Sequence, residues 1–223
     1  MRRVIVLRPE PGAGRTAQAV AQLGLEAVVH PLFAPQALEW TPPPAGDFDA
    51  LLMTSAHAAR LAGPALAAYR GLPAYAVGSA TAAAMRAQGF DGVSAGDADA
   101  STIAARIATD GHRTVLHLAG TTVAPMATGS LHVRRIAVYS MTSLPPDPAL
   151  LDDAMPGSVL LVHSPRAGER LAEQVAPTAR AALHIVAISP NALVACGSGW
   201  ASGHAPDQPG DDDMLALLRG LCE

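Results

Sequence analysis

Polar residues and glycines follow short apolar runs at several points where a predicted strand gives way to a predicted helix. Thr54 and Ser55 follow one such run, and Ser164 follows another. In an open parallel sheet, ligands bind outside the carboxyl ends of the strands, where helix starts offer unpaired N–H groups and partial positive charge to anions. The candidate binding residues of this kind are Arg8, Thr54, Ser55, Gly78, Ser79, Thr81, Gly120, Ser164, Arg166, Ser189 and Asn191.

The recurrence of such helix starts in both halves of the chain favours a ligand with many anionic groups. Ser, Thr and Asn are also the ordinary N-cap residues of helices, where each contributes about 1 kcal/mol. Both interpretations stay open at any single position. No acid and base pair accompanies these residues, so the pattern indicates binding and positioning more than proton transfer.

Tyr139 lies near the end of a long extended run, 131–140, in a chain with only 4 % aromatic residues. Its hydroxyl can donate a proton to a ligand, and plain packing is the alternative. His57, His117 and His163 also lie near predicted strand ends. The spacing of the histidines matches no helical metal-binding motif, so no metal site is predicted.

Composition excludes several functions. A net charge of −4 with 15 % charged residues indicates no nucleic-acid-binding surface. The chain has no lysine, which removes Schiff-base chemistry and the lysine of a P-loop. Gly12 and Gly14 match a dinucleotide fingerprint by letter, but four residues separate them from the strand and the next predicted strand ends in His30, not an acidic residue. An NAD-linked enzyme is therefore disfavoured.

The second half of the chain repeats the arrangement of the first. Ser164 repeats Ser55, and Ser189 repeats Gly78, at an interval of about 110 residues, which is far above the 20–50 residues of a solenoid repeat. The predicted strands are 4–7, 27–30, 50–53, 74–77, 92–95, 114–118, 158–162 and 183–188, with a further strand near Ala201. The predicted helices are 12–23, 56–68, 79–88, 100–108, 149–154, 166–175, 191–198 and 212–221, with a short helical segment after Gly120. Such alternation predicts parallel sheets covered by helices on both faces.

Two long extended runs, 32–40 and 131–141, are each followed by a proline-rich break and bracket the middle of the chain. The middle domain is therefore predicted to be inserted into the other one. The first domain would combine 1–31 with 142–223, the second would cover 38–133, and 32–37 with 134–141 would form a two-stranded linker. The prediction is of two α/β domains that face each other.

Several short motifs, in order over almost the whole chain, resemble the uroporphyrinogen-III synthase family. They are Leu7-Arg8-Pro9, Leu52-Met53-Thr54-Ser55-Ala56-His57-Ala58, Ala76-Val77-Gly78-Ser79-Ala80-Thr81-Ala82, Leu116-His117-Leu118-Ala119-Gly120, Val138-Tyr139, His163-Ser164-Pro165-Arg166-Ala167 and Ala187-Ile188-Ser189-Pro190. The resemblance implies two flavodoxin-like domains joined by two extended strands. Two positions depart from the family pattern: Thr121 stands where arginine is frequent, and His57 where asparagine or arginine is common.

The resemblance also implies an activity, namely the cofactor-free cyclisation of hydroxymethylbilane with inversion of its fourth ring and loss of water. Tyr139 matches the tyrosine of the family and is the expected proton donor, and Thr81 and Ser164 match polar positions of its binding cleft. The eight carboxylates of this substrate account for many amide and hydroxyl ends with few charged residues.

The expected protein is a cytoplasmic monomer that takes a linear tetrapyrrole and makes a transient contact with hydroxymethylbilane synthase. No stretch approaches the roughly 20 apolar residues of a membrane span, so no membrane partner is expected, and the low charge makes a nucleic-acid partner equally unexpected. The alternative function is a non-catalytic two-domain clamp that binds a small polyanion.

Overall fold

The computed structural model describes residues 2–96 and 99–222. Its strands are β1 (Arg3–Val6), β2 (Glu26–Val29), β3 (Phe33–Ala37), β4 (Ala50–Met53), β5 (Ala74–Val77), β6 (Val93–Gly96), β7 (Thr114–Gly120), β8 (His132–Ser143), β9 (Val159–Val162), β10 (His184–Ala187) and β11 (Ser202–His204). Its α-helices are α1 (Gly12–Gln22), α2 (Ala56–Leu61), α3 (Ser79–Ala87), α4 (Ala100–Thr109), α5 (Pro148–Asp153), α6 (Pro165–Gln174), α7 (Pro177–Arg180), α8 (Pro190–Ala195) and α9 (Asp211–Cys222). Two 3₁₀ helices cover Ala45–Asp47 and Pro64–Tyr69.

The chain forms two compact units. The first unit consists of Met1–Ala34 and Thr142–Glu223, and the second of Pro35–Met141. Within the described residues, the sheet of the first unit has the strand order β11-β10-β9-β1-β2, and its pairings are parallel. Its central strands β1 and β9 are almost entirely buried, as expected for a parallel sheet covered on both faces.

One face of the first sheet packs against α1 and α9. Val4 and Val6 of β1 share a buried cluster with Val20 of α1 and with Met214 and Leu218 of α9. Met214 and Leu218 lie one helical turn apart in α9, so they bury one face of the helix. The acidic first turn of α9 stays at the surface. The start of α9 is thereby fixed close to the carboxyl end of β1.

The sheet of the second unit has the order β3-β8-β7-β4-β5-β6, and the pairings β4–β5, β4–β7, β5–β6 and β7–β8 are parallel. Alternate residues of β4 enter different cores because successive side chains of a strand point to opposite faces. Leu51 and Met53 pack with α2 and α3, whereas Ala50 and Leu52 pack with α4. The chain is therefore an α/β protein with predominantly parallel sheets.

The repeat inferred from the sequence is present in the order of elements. The succession β4, α2, β5 and α3 in the second unit corresponds to β9, α6, β10 and α8 in the first. The second strand and helix of each copy are separated from the first pair by a short helical segment, Pro64–Tyr69 in one copy and α7 in the other.

Two predicted helices are wrong as stated. The helix predicted over 56–68 ends at Leu61, because Gly63 adopts a φ of 72° and the proline that follows it cannot continue the hydrogen bonding, and a 3₁₀ helix takes its place. The helical segment predicted after Gly120 does not form: residues 121–131 lack regular structure and contain Pro125 and a positive φ at Gly129. In addition, α7 was not predicted.

Within the described ranges, every helix is too short or too polar to cross a lipid bilayer.

Candidate active site

The predicted residues of the second unit lie along one edge of its sheet. β4 pairs with β7 on one side and with β5 on the other, so the carboxyl ends of these strands are adjacent. Thr54 and Ser55 follow β4, Gly78 follows β5, and Gly120 ends β7. Tyr139 of β8 pairs with Gly120 at an irregularity in the β7–β8 register.

The ring of Tyr139 packs directly against Gly120. A Cβ atom at position 120 would lie 2.8 Å from Cζ and 3.0 Å from the hydroxyl oxygen of Tyr139, so only glycine fits beside the ring. The backbone of Tyr139 accepts a hydrogen bond from the N–H of Thr121 at 3.0 Å. The tyrosine is 8 % exposed, and its hydroxyl therefore belongs to a side chain held in one place.

His57 is an aromatic neighbour of Tyr139, with ring centroids 5.5 Å apart and planes tilted by 55°. Its backbone N–H is bound by the Ser55 hydroxyl at the start of α2. Burial, together with the positive charge of Arg60, lowers the pKa of His57 below its ordinary value. A neutral imidazole thus lies beside the phenol ring at physiological pH.

Thr54 is held by a buried histidine of the neighbouring strand. Nε2 of His117 in β7 lies 3.1 Å from Oγ1 of Thr54, and His117 is only 3 % exposed. Burial, aided by Arg135, lowers the pKa of His117 to about 4. The imidazole is therefore neutral at physiological pH, and its hydrogen bond fixes the threonine hydroxyl at the sheet edge.

Three of the predicted serines act as helix N-caps. Ser55 accepts from the N–H of His57, Ser164 from that of Ala167, and Ser189 from that of Ala192. The capping interpretation is therefore correct at these positions. It does not exclude ligand binding, because a capping hydroxyl uses a lone pair and retains its O–H donor.

The turn from β5 into α3 lacks such a cap. Gly78 is the N-cap residue with φ 79°, a conformation that favours glycine, and no side chain bonds the first helical amides. Ser79 is exposed, and Thr81 is buried with 4 % exposure.

The predicted residues of the first unit also lie along one edge. β9 pairs with β1 and with β10, and Arg8, Ser164 and Ser189 each follow one of these strands by two residues. Nη1 of Arg8 lies 2.7 Å from Oδ2 of Asp211, the first residue of α9, and 3.4 Å from Oγ1 of Thr16.

Arg166 and Asn191 are exposed residues of the first turns of α6 and α8. The guanidinium carbon of Arg166 lies 4.5 Å from the centroid of the Phe33 ring, a cation–π contact. This contact occupies the apolar face of the guanidinium and leaves its N–H groups at the surface.

Sequence reasoning missed the contacts of His117 and Asp211. His117 was noted for its place near a strand end, but its bond to Thr54 joins residues 63 positions apart. Asp211 belongs to the acidic first turn of the last helix, where negative charge favours the helix dipole, and its carboxylate also pairs with Arg8, 203 residues away in the sequence. No local sequence pattern reports such pairings.

Among residues 2–96 and 99–222, no group of three His, Cys, Asp or Glu side chains is arranged to hold a metal ion.

The fold places the chain in the class of α/β proteins with predominantly parallel sheets, in which ligands bind at the carboxyl edges of the strands. A family model described as uroporphyrinogen-III synthase HemD matches residues 14–216. The chain therefore belongs to the uroporphyrinogen-III synthase family, as its motifs predict, and the prediction of an enzyme of that family is confirmed. Nothing in the comparisons favours the non-catalytic clamp.

Solved structures share this fold. Uroporphyrinogen-III synthetase from Helicobacter pylori 26695 matches with a TM-score of 0.66 and 16 % sequence identity, over 99 % of this chain and 100 % of that one. A mutant uroporphyrinogen III synthase from the extremely thermophilic bacterium Thermus thermophilus matches with a TM-score of 0.50 and 15 % identity, over 100 % of this chain and 99 % of that one. No curated protein sequence matches the chain.

Proposed function

We propose that the chain converts hydroxymethylbilane into uroporphyrinogen III, with loss of water and inversion of the fourth ring. The observation that carries this proposal is the family match over residues 14–216. The two sheet edges support it, because they present hydroxyls, arginines and helix starts suited to a substrate with many carboxylates.

The main task of the enzyme in this reaction is to position the substrate. Loss of the terminal hydroxyl as water leaves an electrophilic azafulvene on the first ring, assisted by the electrons of the pyrrole nitrogen. The fourth ring attacks through its substituted carbon and gives a spiro intermediate, which fragments and closes again with that ring reversed. The enzyme must hold the bilane so that this attack is faster than simple closure.

Tyr139 is the proposed proton donor to the leaving hydroxyl. Its O–H proton passes to the oxygen as the C–O bond breaks, and the closing ring later loses one proton, so that the phenol can be restored. The close packing of Tyr139 on Gly120 supports this role, since a proton donor must be held at a fixed position. The neutral His57 beside it adds no positive charge where the cationic azafulvene develops.

The substrate carboxylates are proposed to bind along both edges. In the second unit the contacts would come from Thr54, Ser55, Ser79, Thr81 and the amides near Gly78 and Gly120. In the first unit they would come from Arg8, Ser164, Arg166, Ser189 and Asn191. The three capping serines would donate their O–H to a carboxylate while accepting from the helix backbone.

The architecture is proposed to be two flavodoxin-like domains, 1–31 with 142–223 and 38–133, joined by 32–37 and 134–141. The first sheet supports this in detail, because its order in chain sequence is 2-1-3-4-5, that of flavodoxin. The five strands from β4 to β8 have instead the order 3-2-1-4-5, that of the first five strands of a Rossmann fold. The second domain is therefore proposed to share the doubly wound character of flavodoxin with a different strand order.

The enzyme is further proposed to be a cytoplasmic monomer that receives its substrate in a transient contact with hydroxymethylbilane synthase. The tendency of the free bilane to close spontaneously to the type I isomer supports such a contact, since direct transfer shortens the lifetime of the free substrate.

The test is a coupled assay in which hydroxymethylbilane is generated in situ in the presence of the purified chain. The products are oxidised, and the type I and type III isomers are separated by chromatography. Predominantly type III product is expected. Type I product alone, with binding of a carboxylated ligand retained, would instead indicate the non-catalytic clamp.

A further inference from the structure

Asp211 forms an ion pair with Arg8, an arginine that is proposed to bind a carboxylate of the substrate. Its Oδ2 lies 2.7 Å from Nη1 of Arg8, at the carboxyl end of β1. The guanidinium is fixed from two further sides: Thr16 lies 3.4 Å from the same nitrogen, and Gly12 leaves room for Nε, which a Cβ atom would approach to 2.5 Å. The Arg8 side chain is therefore held in place, and its guanidinium is paired with the Asp211 carboxylate.

Asp211 of this ion pair lines a cavity of about 200 Å³ between the sheet and helices α1 and α9. Thr16, His163 and Asp211 are among the residues that line this cavity. The side chain of His163 is 8 % exposed. Its Nδ1 is buried and makes no well-aligned hydrogen bond among the described residues, and a weak interaction of the ring with the Leu161 backbone is its nearest substitute. A polar side chain of this kind marks the cavity as a place that can receive a polar group.

Arg15 and Asp212 also line this cavity. Displacement of Asp211 therefore leaves two arginines, Arg8 and Arg15, against one remaining carboxylate, which favours an anion. Nε2 of His163 lies 4.0 Å from Oδ1 of Asp211, beyond hydrogen-bond distance. Burial and the positive charge of Arg8 lower the pKa of His163 to about 4, against smaller opposing effects of Asp211 and the Leu161 backbone. At neutral pH, Arg8 and Asp211 therefore form one compensated pair beside a neutral imidazole.

We propose that Arg8 and Thr16, of which Thr16 lines this cavity, form a subsite for one alkyl carboxylate of the substrate. Asp211 occupies this subsite and leaves it when the substrate binds. Asp211 is thus an internal competitor that mimics the substrate carboxylate. The inference rests on the proposed function, because it takes a polycarboxylate as the ligand.

Exchange of one carboxylate for the other is energetically accessible. The side chain of Asp211 is 52 % exposed and that of Arg8 is 24 % exposed, so water screens their attraction. Asp211 is also the first residue of α9, and its side chain can turn to solvent without breaking the helix. A substrate held by many other contacts supplies its carboxylate at high effective concentration.

The test compares KM and kcat for hydroxymethylbilane in purified variants. Asp211→Asn should lower KM by about two- to fivefold, the factor that a partly exposed ion pair corresponds to, with kcat unchanged. Arg8→Gln should raise KM. In the Arg8→Gln background, Asp211→Asn should lower KM no more than the removal of any nearby negative charge does, because the carboxylate no longer blocks an arginine.

Asp213→Asn is the matched control, since it removes the same charge from the same helical turn. The proposal is overturned if Asp211→Asn raises KM, changes it no more than Asp213→Asn does, or retains its benefit without Arg8. If Asp211→Asn does not fold, Asp211→Ser answers the same question, because serine suits a helix start. Type III product from the wild-type chain without these KM changes would contradict the subsite alone, whereas absence of type III product contradicts the proposed function.

Discussion

Tyr139 has a side chain that can donate a proton, and the strand pairing around it restricts the positions that this side chain can adopt. The pairing of β8 with β7 places it opposite Gly120, and the absence of a side chain at that glycine admits the phenol ring. The neutral His57 is its neighbour. The chemistry proposed for this residue is separable from most of its packing, because Cζ and Cε2 of the ring contribute two of the three closest approaches to Gly120.

Tyr139→Phe is expected to lower kcat by about 10²-fold or more, the usual contribution of a positioned general acid. KM and the midpoint of thermal unfolding should change little, since the variant keeps the ring. The measurement is steady-state turnover of hydroxymethylbilane together with circular dichroism.

Tyr75→Phe is the matched control for this variant. Tyr75 donates a hydrogen bond to Asp110 at 2.7 Å and packs with α4, so its loss should affect stability and leave kcat in place. A wild-type kcat in Tyr139→Phe would rule out the proton-donor role.

At the residue scale, the sequence allowed only part of the candidate site to be predicted. Residue type and position after a strand singled out the serines, whereas Tyr139 was singled out by its place near the end of an extended run and by the family resemblance. The structure places each at a carboxyl edge. The bond from His117 to Thr54 and the pairing of Arg8 with Asp211 depend on which strands are neighbours, so they were beyond prediction from local patterns.

Residues at the helix starts have two roles, capping of the helix and the proposed binding of substrate. Ser164 at the start of α6 is the clearest example. Its hydroxyl oxygen accepts from the N–H of Ala167 at 3.1 Å. A substitution that preserves this acceptor while changing the charge separates the two roles.

Ser164→Asp is therefore expected to keep the stability of the protein, because aspartate is as good an N-cap as serine, and to raise KM through repulsion of the substrate carboxylates. Ser164→Ala should instead reduce the free energy of unfolding by about 1 kcal/mol. Urea unfolding and KM measured on the same preparations check both expectations. An unchanged KM in Ser164→Asp would leave Ser164 with capping alone.

Close packing between α6 and α8 depends on Gly168. A Cβ atom there would lie 2.8 Å from the backbone oxygen of Ala192 and 3.0 Å from both the backbone N and Sγ of Cys196. Gly168→Ala is expected to reduce the free energy of unfolding by about 1–3 kcal/mol, the usual cost of overpacking.

Gly220→Ala provides the comparison, because Gly220 also lies in a helix but has nothing within 4 Å of an added Cβ. This variant should be as stable as wild type or more stable by up to about 1 kcal/mol, owing to the higher helix propensity of alanine. Urea denaturation distinguishes the pair, and equal effects of the two substitutions would contradict the packing argument.

At the element scale, strands bounded by strong turn residues were predicted well: β4 and β5 have the predicted bounds. The failures have local causes. The helix predicted over 56–68 rests on alanine-rich periodicity and disregards the Gly63-Pro64 break. The helical segment predicted after Gly120 disregards the β-branched residues and Pro125 that follow this glycine.

Two histidines have largely buried side chains and a strongly lowered pKa, His117 in the second unit and His163 in the first. Burial lowers the pKa of both from 6.5 to about 4. Because the folded chain resists protonation of these groups and the unfolded chain does not, their contribution to stability is complete above pH 6.5 and is lost as the pH falls from 6.5 towards 4.

The free energy of unfolding is thus expected to fall between about pH 7.5 and about pH 5, with each histidine contributing at most about 3 kcal/mol over its full range. Urea unfolding at the two pH values is the measurement. His117→Gln and His163→Gln should each weaken the pH dependence, whereas His132→Gln, at an exposed position, should leave it unchanged. Identical pH dependence in all three variants would contradict the assignment.

For the whole molecule, the repeat and the alternation of strands and helices predicted an α/β protein with parallel sheets. Strand order could not be predicted, because alternation shows that strands are parallel but not which of them are neighbours. The two sheets indeed differ in order although their sequences repeat. The domain boundaries stay predictions.

The central claim is that this chain itself directs closure of hydroxymethylbilane to the inverted isomer. The most direct measurement is the fraction of type III product as a function of the concentration of purified chain, at a constant rate of substrate generation. The account predicts that this fraction rises towards completion as the chain is added, and that Tyr139→Phe needs a far higher concentration to reach the same value. A product that stays type I at every concentration of folded protein would contradict it.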